Sequence, residues 1–150
     1  MKRILAMPLA FLLAISCCLM MASAAETVLP RASITLSSYA ATVKAGSSSG
    51  ELRISYQVNS NMVASELGVS SIEIYKSNGT YIKTIYGSTA NGLIRTSSNA
   101  HTGTYSYTAS PGTSYYAVET VFASTSAASD SRDVTTATVK APDRINTRGK

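Results

Sequence analysis

The chain has 150 residues, a net charge of +5, one histidine, two cysteines and no tryptophan. This length suits a single domain with a core of ordinary size. Both cysteines, Cys17 and Cys18, lie near the N-terminus, so a chain that loses this end has neither a disulfide nor thiol chemistry. One histidine without cysteine cannot complete a zinc site, and we expect no metal and no cofactor.

The N-terminus has the pattern of an export signal. Two basic residues precede an uncharged apolar run over 4–21, and the small residues Ala22-Ser23-Ala24 follow it. Signal peptidases require such small residues at the cleavage site. We therefore expect a signal helix over 1–24, cleavage after Ala24 or Ala25, and a secreted, extracellular product that can associate with the cell wall.

Two alternatives to cleavage stay open. The apolar run approaches the ~20 residues that span a bilayer, which would suit an uncleaved anchor. Cys17 follows a sequence partly similar to a lipoprotein signal, which would suit a lipid anchor. The Ala-x-Ala end of the run favours cleavage over both.

Charge divides the remaining chain into a neutral body and a basic end. We expect a lead-in over 25–31, a β domain over 32–140 and a disordered tail over 141–150. Residues 140–150 contain four basic residues and one acidic residue, a net +3. Such a tail can touch anionic wall polymer, although a solvated chain end is the simpler interpretation. No basic stripe interleaved with aromatic residues is present, so we expect no nucleic-acid partner.

The body alternates apolar and polar residues between turn signals, which is typical of antiparallel strands. The clearest strand is 51–59, with Leu52, Ile54, Tyr56 and Val58 inward. The pattern predicts further strands at 33–44 (with a bulge or a change of sheet near Ser37), 104–109, 114–123 and 131–140, and a turn at 110–113. It predicts loops at 59–69, 87–103 and 124–130, with a short edge strand at Leu93 and Ile94 as an option within the second loop. In 114–123 both faces are apolar, and we place Tyr116, Val118 and Phe122 inward and Glu119 outward.

Residues 71–86 contain the strongest local signal, an Asn78-Gly79 turn between two β-prone runs. A two-residue turn would put Ile74 opposite Lys83 and mix apolar with charged residues. A three-residue loop with left-handed Gly79 instead separates a core face from a wet face. We prefer the second register, which pairs Tyr75 with Tyr81, Glu73 with Lys83, and Ile74 with Ile82.

These elements predict an all-β fold, a single Greek-key β-sandwich of about seven antiparallel strands. The run Pro111-Gly112-Thr113-Ser114-Tyr115-Tyr116-Ala117-Val118, then Phe122-Ala123 and a Thr/Val-rich final strand, resemble the end of a fibronectin type III or related immunoglobulin-like domain. The whole chain is also similar to small secreted proteins, a domain of unknown function, from Gram-positive gut bacteria. These resemblances imply a sandwich and bring no known activity.

Catalytic chemistry finds little support in the sequence. A Ser-His-Asp site would have to combine His101 with Asp130 or Asp133, and no spacing suggests that they meet. We expect His101 to be a solvent-exposed loop residue and 130–133 to be a surface turn rather than a calcium loop. Glutamates are scattered along the chain, without the paired arrangement of glycosidases. We expect no enzymatic activity.

The nine tyrosines are the one functional hint. Tyr75 and Tyr81, bracketed by Glu73 and Lys83, form a candidate binding surface, because exposed tyrosines offer large, rigid contact area. The simpler interpretation is that this cross-strand pair only stabilises the hairpin. The sequence thus favours a secreted, monomeric module that binds a protein or glycan through its loops or its tyrosines. The alternative is a structural, wall-associated protein that its basic tail retains.

Overall fold

The computed structural model describes residues 35–143, all of them in strands, turns or irregular segments. The predicted signal segment, its cleavage at Ala24 or Ala25 and most of the basic tail lie outside this range. Within it, no helix is long and apolar enough to cross a membrane. Seven strands follow one another: β1 (Leu36–Ala45), β2 (Glu51–Lys76), β3 (Tyr81–Tyr86), β4 (Ile94–Thr108), β5 (Ser114–Ser124), β6 (Ser129–Thr135) and β7 (Val139–Lys140).

All seven strands belong to one antiparallel sheet that curls as a half-barrel. The long strand β2 organises it. Along one side, β2 pairs first with β1 and then with β5, and along the other side first with β4 and then with β3. Strands β6 and β7 complete the sheet beyond β5. The all-β class predicted from the alternation is therefore confirmed.

The core lies on one face of this curled sheet. In the first part of β2 the inward residues are those that the alternation predicts, and the bulge near Ser37 and the turn at 110–113 are also confirmed. The sheet pairs large β2 residues with small β5 residues: Ile74 faces Ala117, and Leu67 faces Ala123. Large side chains that face small ones across the two strands keep the interior close-packed.

Two of the predicted loops are strands. Residues 59–69 continue β2 without interruption, and most of 87–103 belongs to β4, which leaves 87–93 as the connection. His101 accordingly lies within β4 and not in a loop. The predicted last strand 131–140 is divided into β6 and β7, because Thr136 turns to bond the backbone of Ala117 through both its N–H and its hydroxyl.

The orientation predicted for β5 is wrong. Its buried residues are Tyr115, Ala117, Glu119, Val121 and Ala123, so the face that carries Tyr116, Val118 and Phe122 is the outer one. Glu119 is therefore completely buried. The bulkier apolar residues remain only half-covered because β2 already supplies the large side chains of this part of the core.

The hairpin between β2 and β3 has the predicted loop and a different register beyond it. Gly79 is left-handed at φ 84°, and its N–H donates to Lys76 O at 2.9 Å. Tyr75 pairs with Tyr81 as predicted. One extra residue at Ile82 then shifts the ladder, so Ile74 faces Lys83. The predicted pairs of Glu73 with Lys83 and Ile74 with Ile82 are wrong, because the bulge inserts a residue into β3.

Candidate functional site

Three tyrosines form a row across the outer face of the sheet. The ladder places Tyr81 on β3, Tyr75 on β2 and Tyr116 on β5 side by side. The rings of Tyr75 and Tyr116 stack at 5.3 Å between centroids with 10° between planes. The ring of Tyr81 meets Tyr75 edge-on at 5.7 Å and 70°. Both geometries are favourable for aromatic pairs, and together they fix the ring of Tyr75 from both sides.

Glu73 anchors the row from within β2. The Tyr75 hydroxyl donates a hydrogen bond of 2.6 Å to Glu73 Oε2. This bond to a carboxylate, with the partial burial of the ring, raises the pKa of Tyr75 to about 12. Lys83, the fourth residue of the predicted surface, is exposed and lies opposite Ile74. The structure therefore brings Tyr75, Tyr81 and Glu73 together and leaves Lys83 outside the cluster.

Tyr86 and Tyr116 extend this surface and were not among the predicted binding residues. Tyr86 faces Ser71 on the same side of the sheet and is 77% exposed, more than Tyr81 at 53%. We call Tyr75, Tyr81, Tyr86 and Tyr116 the tyrosine face. The shift of register at Ile82 turns Tyr86 to this side, and the sequence gives no signal of that bulge.

Comparison with known proteins adds no assignment. No family model matches the chain, and no curated protein or solved structure is significantly similar to it.

A second feature of the outer face is a shallow groove of about 420 Å³ over β1, β2 and β4. Small polar side chains dominate its lining, and the hydroxyls of Ser55 and Thr104 are hydrogen-bonded at 2.9 Å. It contains no carboxylate and no histidine, so the groove offers hydroxyl and amide contacts only. Its lining residues are Ala40, Thr42, Ser55, Tyr56, Gln57, Thr102, Gly103 and Thr104.

His101 belongs to a structural cluster on the core side of β4. The Tyr56 hydroxyl donates to Gly92 O at 2.6 Å, and His101 Nε2 lies 2.8 Å from the same oxygen.

The two aspartates considered for a Ser-His-Asp site have other hydrogen-bond partners. Asp130 accepts from the backbone N–H and the hydroxyl of Thr35, and Asp133 accepts from the Thr120 hydroxyl.

The described residues contain no group of three or more histidine, cysteine, aspartate or glutamate side chains that could hold a metal ion.

The contact between Glu73 and Tyr75 predicts a titration in which Glu73 affects Tyr75 and Lys83 does not. We expect Glu73→Gln to lower the pKa of Tyr75 from about 12 toward the ordinary 10, because the charged acceptor is lost. NMR titration of the tyrosine ring carbons measures this shift. Lys83→Gln is the matched control and should leave Tyr75 unchanged. A rise in the pKa of Tyr75 in Lys83→Gln would contradict the register described above, because it would place the ammonium group beside Glu73 and Tyr75.

Proposed function

We propose that this chain is a secreted, non-enzymatic binding module whose ligand is a polypeptide that docks on the tyrosine face. The observation that carries the proposal is the row of three packed tyrosines, together with the highly exposed Tyr86 farther along the same face of the sheet. Tyrosines at the centre of protein interfaces commonly contribute most of the binding free energy. The export pattern of residues 1–24 supports the secreted location.

The geometry of the rings favours a polypeptide over a glycan. A sugar stacks on the flat face of an aromatic ring, whereas Tyr75 has Tyr116 against one side and Tyr81 against the other. At the centre of the row, Tyr75 therefore presents a ring edge rather than a flat ring face to an approaching ligand. Such groups suit backbone and side-chain partners of a protein, since they combine apolar area with hydrogen bonding at low entropic cost.

Packing also makes this surface ready to bind. The stacked and hydrogen-bonded Tyr75 has no rotamer freedom to lose when a partner arrives. Preorganised side chains increase affinity because association then orders fewer groups. Most residues of the three loops that the sequence predicts as a binding surface lie in strands. The loops therefore offer less binding surface than the sequence suggests.

We further infer that the half-barrel is a Greek-key sandwich of the immunoglobulin or fibronectin type III kind. Seven antiparallel strands of this length around one core support that inference. The continuous 26-residue strand β2, shared by both halves of the sheet, is a departure from separate strands in two sheets.

Replacing the two most exposed tyrosines tests the proposed function. We expect Tyr81→Ser with Tyr86→Ser to weaken binding of the native polypeptide partner at least tenfold, since a tyrosine hot spot contributes about 1–2 kcal/mol or more. Partners are captured from the culture of the producing organism on the immobilised chain, identified, and their affinities then measured by calorimetry. Tyr39→Ser on β1, another exposed tyrosine, is the matched control.

Three outcomes would contradict the proposal. Equal affinity of the double variant and the control would exclude the tyrosine face. Saturable binding to purified glycans, lost in the double variant, would replace the polypeptide by a sugar. Retention on cell walls that salt or removal of residues 141–150 abolishes, with no soluble partner, would favour the structural alternative.

A further inference from the structure

Strand β4 has a hydrogen-bonded neighbour on one side only. Among residues 35–143 it pairs with β2, and no described strand lies along its second edge. Ala109 N donates to Gly50 O on the β2 side. Backbone groups alternate along an antiparallel strand, so the even-numbered residues of this part of β4 direct theirs to the open edge. These open groups belong to Thr102, Thr104, Ser106 and Thr108, whereas the N–H and the carbonyl of Ala100 are bonded to the Ser98 hydroxyl.

The one Lys, Arg, Asp or Glu residue of β4 is Arg95, which lies outside the regular part of its open edge. Lys44 lies on β1, Lys83 on β3, and Arg132 with Asp133 on β6. Charged side chains on outer strands disfavour pairing with another chain, and natural sheets use them for that purpose. Over residues 100–108, β4 contains no charged residue other than the titratable His101, and it is regular throughout.

We propose that β4 pairs with β4 of a second copy of this chain, antiparallel and around a two-fold axis at Thr104. The regular stretch begins at Ala100, where the ladder with β2 resumes after its break, and it ends at Thr108. Thr104 is the centre of that stretch, so this register pairs its whole length with itself once the bonds of Ala100 to the Ser98 hydroxyl are exchanged for bonds to Thr108 of the second copy. The result is a closed, self-complementary contact that makes the two sheets continuous.

The side chains complement one another in this register. On the outer face, Thr104 meets Thr104 of the second copy and Ser106 meets Thr102, and hydroxyl pairs of this kind stabilise antiparallel ladders. On the core face, Tyr105 lies opposite Gly103, where the absence of a side chain leaves no Cβ to oppose the ring and Tyr56 of the same chain already packs against the glycine. No like charges are opposed, because the stretch has no charged pair to oppose.

Cysteine substitutions test the register in the full chain with Cys17→Ser and Cys18→Ser, so that the introduced thiol is the only one. Thr104→Cys should form a disulfide-linked dimer under mild oxidation, since hydrogen-bonded partners have Cα atoms about 5.5 Å apart. Ser106→Cys is the matched control and should not, because the two sites lie about 13 Å apart along the strands. A mixture of Thr102→Cys and Ser106→Cys chains should link to each other.

Sedimentation of the uncrosslinked chain gives the second measurement. The native chain should approach twice the single-chain mass as its concentration rises. Thr104→Pro should keep the single-chain mass with an unchanged circular dichroism spectrum, because the lost N–H points away from β2. A native chain that stays single at the highest attainable concentration would overturn the proposal. So would equal cross-linking of Thr104→Cys and Ser106→Cys.

Discussion

Raising the pH from about 5 to about 8 is expected to lower the free energy of unfolding by roughly 4 kcal/mol, because of one glutamate. Glu119 is completely buried on β5, and neither of its carboxylate oxygens has a hydrogen-bond partner. Burial raises the pKa of Glu119 to about 8. In the unfolded chain the same group titrates near 4.3. The folded protein therefore holds a proton that the unfolded chain releases.

The sign of this effect follows from the direction of the shift. Below the pKa of the unfolded chain both states are protonated, and the stability is fully present. As the pH rises toward the pKa of the folded state, only the unfolded chain loses its proton, so unfolding becomes easier by about 1.4 kcal/mol per pH unit. Above the pKa of the folded state the loss is complete, because a charged carboxylate is then buried without a partner.

Urea unfolding at several pH values measures this dependence. Glu119→Gln should flatten the curve between about pH 5 and about pH 8 and should unfold at higher urea than the native chain at the upper end. Glu66→Gln, a substitution at an exposed position of β2, is the matched control and should keep the native slope. A native chain with the same pH slope as Glu119→Gln would show that Glu119 does not hold its proton in the folded state.

Glu119 was predicted on the outer face and lies in the core. When both faces of a strand are apolar, its sequence does not determine which face is buried. The charge of Glu119 favours the outer face for that residue, and the sizes of Val118 and Phe122 favour the core for theirs. The register with the partner strand makes the choice, because it places Ala117 against Ile74 and Glu119 against Ile72 in the core. That register is a tertiary property, and alternation within one strand does not contain it.

The sequence did not predict that β2 is continuous over Glu51–Lys76, for a different reason. A search for alternation assumes that inward residues keep one parity, and β2 changes parity twice. Its buried residues Val58 and Ala64 are even-numbered, Leu67 and Val69 are odd-numbered, and Ile72 is even-numbered again. The second change coincides with the irregularity of the ladder between Val69 and Ser71, and the first follows the break between Asn59 and Ala64. The stretch 59–69 therefore has a loop-like pattern although it is strand.

The tyrosine face was predictable in part. The Asn78-Gly79 turn fixes the pairing of Tyr75 with Tyr81, and local turn chemistry is enough to predict it. The contribution of Tyr116 requires the register between β2 and β5, which are separated by two other strands in the sequence. Tyr86 requires the bulge at Ile82, which has no glycine or other local signal.

Gly68→Ala is expected to lower the free energy of unfolding by about 3 kcal/mol or more. Gly68 lies in the middle of β2 at φ 143°, a conformation that residues with a side chain rarely adopt. A Cβ at this position would overlap the carbonyl oxygen of Leu93, which accepts a hydrogen bond from Val69 N at 2.9 Å. The substitution therefore adds backbone strain and displaces the segment that leads into β4.

Gly79→Ala separates these two contributions. Gly79 is also left-handed, at φ 84°, but a Cβ there would have no atom within 4 Å. Its replacement should cost only the conformational strain, about 1–2 kcal/mol. Urea unfolding of both variants gives the difference, which measures how tightly Leu93 is held against β2. Equal losses of stability would mean that strain alone matters and that the connection yields freely. A much larger loss for Gly68→Ala would identify the close approach of Leu93 to β2 as the contact that Gly68 makes possible.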